Sequence, residues 1–431
     1  MSAKNLQASG VLYTDRRDFY IDPQIVKELW TDVAPFTTVL SNRETRQVKD
    51  PMFKMFEHRN PWVKQKFVNN GYTTSLSAND TESNAITVDG IVGLASSVDS
   101  SYLGLECEVW NSAETTRRGV VLITSAPSSS TIKVKNLTDG AIAFADDDIF
   151  NVVGNARGEG TSSPEAWADE LRVVYNSSQI FKTPLEITGT LHAAALRGES
   201  SELARLRLQK SQEHKMQKER AFLFGQSAVG TNLDPDSADT FSDSHRTDAD
   251  GKKVRSTMGL VTAIDKYGNS SGDDQNIFPV ASSTYAYEDF VDDMEKVFQY
   301  VPESGTKLAF CGAGALSYWS KIDGTNGIAG KSGWSVQVQP SQRDSLGFNY
   351  RMLETPHGMI KLIPTPALRG AYNKYMVVVS DENLFHAQYR SPLYQTSVKT
   401  DNAYDGVKDQ YMSDEGIGIS LIESHKVFKI T

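Results

Sequence analysis

The sequence predicts an α+β protein carrying a β-rich insertion. One long charged helix at 200–224 contains no Gly or Pro. A stretch at about 85–160 is rich in Val, Ile, Gly, Ser and Thr and lacks a helical period. From about 257 onward, helical and strand patterns alternate.

The first 70 residues are irregular, apart from a short helix expected at 23–30. Asp22 is placed to cap it, Pro23 suits its first position, and Gln24, Ile25, Val26 and Leu29 follow at helical spacing. Phe53, Phe56, Trp62, Lys64, Lys66, Phe67 and Tyr72 then come without any period. That pattern predicts an extended arm packing on neighbouring molecules. Within 85–160, Val121–Thr124 and Thr131–Lys135 flank a Pro- and Ser-rich turn and predict a hairpin. Ile132 and Val134 would face one way, Lys133 and Lys135 the other. Repeated short strands of this kind predict a small barrel or sandwich.

The helix at 200–224 would be about 37 Å long at the usual rise, with Gly225 as its C-terminal cap. Leu203, Leu206 and Met216 form only a narrow apolar stripe among Arg205, Arg207, Lys210, Glu213, Lys215, Lys218 and Glu219. It reads as a partly exposed strut whose burial comes from elsewhere in the molecule or from other subunits. An Asp-rich polar loop fills 227–256. Helices are then expected at 287–300 and 313–323, and a Gly-rich loop at 324–333. Strands are expected at 307–311, 334–339, 350–354, 359–363, 375–379, 384–389 and 417–422.

The chain has 431 residues, 39% apolar and 23% charged, enough for two or three packing units and unlike collagen or a disordered chain. Cys107 and Cys311 fit no disulfide framework or zinc spacing, so free thiols in a reducing compartment are expected. No run of 18 apolar residues predicts a membrane span, and the start lacks the apolar core of a signal peptide. The net charge of −10 argues against nucleic-acid binding over the whole surface. Yet 1–70 and 197–220 are each +3, against −9 for 71–196 and −7 for 221–431. The arm and the long helix are therefore basic on an acidic molecule. Such runs are commonly solvated faces; here they also suit a shared surface facing something anionic.

Two motifs resemble nucleotide sites. Cys311-Gly312-Ala313-Gly314-Ala315-Leu316-Ser317 joins a strand to a helix but lacks the third glycine and the later acidic residue of a dinucleotide fingerprint. It reads as a tight turn. Thr325-Asn326-Gly327-Ile328-Ala329-Gly330-Lys331-Ser332 falls one glycine short of a phosphate-binding loop and precedes an expected strand, not a helix. The seven histidines show no metal spacing, and His214 in the charged helix reads as solvated or capping. Asp248-Ala249-Asp250-Gly251 lacks the bidentate Glu of a calcium loop. The residues thus nominate no catalytic, cofactor-binding or metal site.

The order of parts resembles a tailed-bacteriophage major capsid protein of the Hong Kong 97 fold. The resemblance rests on Thr183-Pro184-Leu185-Glu186-Ile187-Thr188-Gly189-Thr190 leading into the helix, and on Gln212–Gly225 closing it. Met258-Gly259-Leu260-Val261, Gly358–Pro364 and the ending Asp414–His425 also fit.

The resemblance implies an N-terminal arm at 1–55 and an extended loop at 56–185 lying over a neighbouring subunit and enlarged by the insertion. It implies a peripheral domain at 186–256 and 380–431 built on the spine helix, and an axial domain at 257–379. The implied function is self-assembly, without catalysis, into hexamers and pentamers of an icosahedral head. That head, made in the bacterial host cytoplasm, encloses double-stranded DNA.

The implied partners are other copies of the chain, a separate scaffolding protein, a portal and DNA held by non-specific contacts, with no membrane. The insertion would either meet a decoration or cement protein or brace neighbouring capsomers. No cofactor is implied. Arg205, Arg207, Lys210, Lys215 and Lys218 would face the lumen, and Phe53, Phe56, Trp62 and Phe67 would contact other subunits. The alternative is an encapsulin-like shell of a cellular nanocompartment.

Overall fold

The computed structural model describes residues 34–58, 65–78, 82–92, 98, 100–160, 171–194, 201–227, 248–252, 254–270, 274–285, 287–300, 305–319, 342–343, 349–398 and 405–431. The expected helix at 23–30, the strand at 334–339, the near phosphate-loop at 325–332 and Trp62 lie outside them.

In chain order the elements begin with α1 (Pro35–Arg43), β1 (Thr45–Gln47) and β2 (Met52–Glu57). Next come β3 (Lys66–Asn69), β4 (Ile86–Val92), β5 (Leu105–Trp110), β6 (Arg117–Ser128), β7 (Thr131–Asn136) and β8 (Ile149–Asn155). Then follow β9 (Arg172–Ser177), β10 (Gln179–Thr188), α2 (Gly189–Ala193), α3 (Glu202–Phe224) and α4 (Leu260–Tyr267). They continue with β11 (Ile277–Val280), α5 (Tyr287–Phe298), β12 (Thr306–Cys311), α6 (Ala313–Trp319), β13 (Gln342–Arg343), β14 (Asn349–Thr355) and β15 (Gly358–Pro364). The chain closes with β16 (Tyr375–Val379), β17 (Leu384–Gln395), β18 (Gly406–Ile419) and β19 (Lys426–Ile430). They fall into two compact units, Phe56–Arg172 and the remainder.

The smaller unit holds a closed six-stranded barrel, in the order β3-β4-β7-β6-β5-β8. Alternation builds it: in β7, Ile132 and Val134 are fully buried while Lys133 and Lys135 point outward, as the hairpin pattern predicts. Phe67 stacks on Phe150 at 5.0 Å, and Tyr102, Cys107, Val109 and Val121 complete an apolar interior. The barrel therefore starts at Lys66, earlier than the composition suggests.

The larger unit contains a four-stranded sheet, β1-β17-β18-β10, and a seven-stranded mixed sheet, β11-β19-β16-β12-β15-β14-β13. Strand period 2 sorts the second sheet into two faces. Phe310, Ile363, Val377, Val379 and Val427 face α1, α4 and the end of α3. Ala309, Cys311, Ile360, Leu362, Met376, Val378 and Phe428 face α5 and α6. Both edges of each sheet are short or contain proline: β1 has three residues, β13 has two, β10 carries Pro184 and β11 carries Pro279.

Three sequence expectations are corrected here. The strand expected at 417–422 is β18, which starts eleven residues earlier at Gly406 and ends at Ile419. β19 belongs to the seven-stranded sheet, pairing β11 and β16, so the final strand leaves the spine's sheet. The expected loop boundary at 185 falls inside β10, which pairs with β18 from Gln179 to Thr188.

Candidate functional site

The long helix α3 and its seat on β10 and β18 hold most of the nominated residues. Ser201 caps α3 by accepting a hydrogen bond from Ala204 N at 3.3 Å. Gly225 ends it with φ −56°, not in the left-handed region. Its glycine is required for space, because a Cβ there would run into Thr257 O and Ala221 O.

Both ends of α3 are anchored by apolar contacts. Leu203 packs with Leu185 and Ile187 of β10, and Phe222 and Leu223 enter the main core. Between these ends the seat is polar. Residues 409, 411, 413 and 415 of β18 face the helix, because alternate residues share a sheet face. Arg207 donates from Nε and Nη2 to Asp409 Oδ2 at 2.9 and 2.7 Å. Tyr394 Oη (2.6 Å) and Ser397 N (2.8 Å) also donate to Asp409. Burial raises the Asp409 pKa, but these hydrogen bonds outweigh it and hold the carboxyl below its ordinary value.

Glu415, fully buried, accepts from Lys218 Nζ and His386 Nε2, each at 3.1 Å. Burial raises its pKa, yet His386 and Lys218 lower it further. Asp414 points to the opposite sheet face and pairs with Arg390 at 3.2 Å. His214 is buried between Thr183 and Ser413, which corrects the solvated or capping reading.

The five nominated cations therefore differ. Arg205 pairs with Glu202, and Lys210 with Glu213, along the helix. Arg207 and Lys218 turn inward to β18 carboxylates and are not free for an anionic partner. Lys215 is exposed. Sequence reading missed the carboxylates because Asp409 lies 202 positions from Arg207 and Glu415 lies 197 from Lys218. The signal was their odd density at Asp409, Asp414 and Glu415 inside an apolar ending.

The nominated aromatics divide in the same way. In β2, Phe53 and Met55 point inward while Phe56 is 71% exposed. Phe53 and Phe67 are spent on the chain's own cores, so they do not serve as contacts to other subunits. The fingerprint-like turn is explained as well. Asn373 takes the amides at the start of α6, with Gly314 N donating to its Oδ1 at 3.1 Å and Ala315 N to its carbonyl at 3.1 Å. A Cβ on Gly312 would strike that same carbonyl. Among the described residues, no cluster of His, Cys, Asp and Glu could hold a metal, and no helix is long and apolar enough to cross a membrane.

Comparison with known proteins adds a family. The SU10 major capsid protein model matches residues 31–413. No curated protein matches significantly. Among solved structures, the capsid of a native GTA particle is similar at TM-score 0.47 and 9% identity, with 100% of each chain covered. That of Microbacterium phage Oxtober96 is similar at TM-score 0.43 and 10% identity, covering 98% of this chain and 97% of the other. The holo-SrpI encapsulin complex of Synechococcus elongatus PCC 7942 is similar at TM-score 0.37 and 6% identity, covering 61% and 77%.

Proposed function

Because the chain belongs to the SU10 major capsid protein family, we propose that it forms the hexamers and pentamers of an icosahedral phage head around double-stranded DNA. The family match over residues 31–413 is the observation that carries this reading. The family is a structural one, and the subunit acts by assembly without catalysis. In Hong Kong 97 terms, α3 is the spine helix, the barrel enlarges the extended loop, and the seven-stranded sheet with α5 and α6 forms the axial domain. The extended loop lies over a neighbouring subunit.

Lys215 and Arg220, both exposed on α3, and the outer side of Lys210 face the lumen. There they meet a scaffolding protein first and phosphate later, through contacts that read charge and not base sequence. A portal completes the head, which is made in the host cytoplasm. The barrel's outer surface either meets a cement protein or braces a neighbour.

Size-exclusion chromatography and electron microscopy of the full chain, expressed with its scaffold, test this reading. Shells containing DNA are expected. Soluble monomers alone would sink it, and shells holding a cargo enzyme in place of DNA would replace it with a nanocompartment.

A further inference from the structure

The polar seat under α3 contains a hydrogen-bond chain whose direction is fixed by its chemistry. Gln217 Nε2 donates to Glu213 Oε1 at 3.2 Å, since a carboxylate only accepts. That orients the amide so that Gln217 Oε1 accepts from Thr183 Oγ1 at 3.1 Å. The Thr183 hydroxyl has one proton, so it accepts from His214 Nδ1 at 2.9 Å. His214 therefore carries its proton on Nδ1, a tautomer assigned from the network. Its Nε2 is left to accept from Ser413 Oγ at 3.0 Å.

The surroundings favour the neutral ring. Phe181 and Tyr411 flank it, with ring centroids at 6.3 and 6.2 Å. Lys218 of α3 and Glu415 of β18 act on its charge, and Tyr411 of β18 lies beside it. Farther along the same seat are Lys210, Glu213 and Arg207 of α3 and Asp409 of β18, with Tyr394 and His386 of β17 bonded to Asp409 and Glu415. β10 contributes only Thr183 and Phe181. Asp409 is bound by Arg207, Glu415 by Lys218 and Glu213 by Lys210, so these carboxylates already have cationic partners. None of the three makes a hydrogen bond to the imidazole.

We propose that the Ser413–His214–Thr183 relay is an acid-sensitive lock on the middle of α3. A proton added at Nε2 turns an acceptor into a donor, forces the Ser413 hydroxyl to reverse, and sets a second cation beside Lys218. The apolar anchors at Leu203 and Phe222 do not titrate, so loosening stays confined to the middle of the helix. Burial, then Lys218, lowers the His214 pKa to about 4, against the pull of Glu415. The locked form binds fewer protons than the released one, so the lock is complete above the ordinary histidine pKa. It weakens as pH falls from about 6.5 toward 4.

Hydrogen–deuterium exchange of the full chain, corrected for intrinsic rate, tests the lock. Between about pH 7 and pH 4.5, residues 207–219 are expected to lose protection by roughly tenfold more than the barrel strand β7. His214→Gln cannot titrate and should abolish that step. Ser413→Ala removes the bond to the neutral ring and should move the step to higher pH. It also decides the matter if His214→Gln does not fold. A wild-type chain without the step, a step that survives His214→Gln, or one unmoved by Ser413→Ala would each overturn the proposal.

Discussion

The Glu219 carboxylate accepts the backbone N–H of Thr37 at 2.7 Å, and so caps a helix 182 positions earlier in the chain. The Thr37 hydroxyl donates to that same oxygen, Oε2, at 2.7 Å, and the other oxygen, Oε1, takes Phe36 N at 3.0 Å. The first turn of α1 has no cap from its own segment, because Ala34 precedes Pro35. The Glu219 side chain of α3 satisfies those amides instead; burial raises its pKa, while the hydrogen bonds from Thr37 and Phe36 and the helix dipole pull the other way. Truncation by Glu219→Ala is expected to cost about 1–3 kcal/mol and to expose the amides of residues 36–43 to exchange. Glu219→Gln, which keeps one acceptor, should cost less. Denaturant unfolding with peptide-level exchange checks both, and equal, negligible losses would show that the cap is not needed.

Charge reversal separates the spine's cations. Lys215→Glu is expected to leave stability within about 0.5 kcal/mol, as for an exposed site. In Lys218→Glu a carboxylate faces the buried Glu415, and a loss of about 3–5 kcal/mol is expected. Packaging defects in Lys215→Glu shells would then report on the lumen, whereas Lys218→Glu reports on folding. Comparable stability of the two variants in thermal unfolding would contradict this division.

Lys307 is expected to make the stability of the seven-stranded sheet depend on pH. It is fully buried on β12, and its Nζ donates to Ser424 O at 3.1 Å. Burial, then Lys426, lowers its pKa from 10.5 to about 7. The folded chain thus binds fewer protons than the unfolded chain between those values, so this residue's contribution to stability rises with pH through that window. Lys307→Met should flatten the rise and raise Tm near pH 6. A Tm–pH slope unchanged by the substitution counts against the assignment.

The two phenylalanines of the loop region should behave oppositely. Phe67→Ala removes a ring from the barrel core and should cost about 3–5 kcal/mol. Phe56→Ala should leave the subunit's stability unchanged and lower assembly yield if the exposed ring meets another copy. Light scattering of assembly reactions, beside unfolding curves of the same proteins, distinguishes these outcomes.

What could be read from the sequence follows from how local each signal is. The hairpin at Ile132 and Val134 is legible because alternation alone puts those side chains inside. α3 is legible because 23 residues run without a breaker. α1 escaped notice, although Phe36, Val39 and Leu40 have helical spacing, because its cap comes from Glu219. The first half of β18 was hidden by Lys408, Asp409, Gln410 and Ser413, which look like a loop until Arg207 and His214 are brought over them. The cations of the site were visible, but their partners were not. Only folding shows that Arg207 and Lys218 are engaged at home while Lys215 is free of the seat.

The treatment of strand edges bears on life inside a crowded shell. A subunit packed against many identical copies meets its own open edges at very high local concentration, where stray strand pairing would lead to fibrous aggregates. Proline at Pro184 and Pro279 breaks the donor row on two edges, and the other two edges are only three and two residues long. The inserted barrel closes on itself and adds six strands without adding an edge. The chain can thus grow by a whole β-domain without adding an open edge to the barrel, while its two larger sheets end in strands that are short or carry proline.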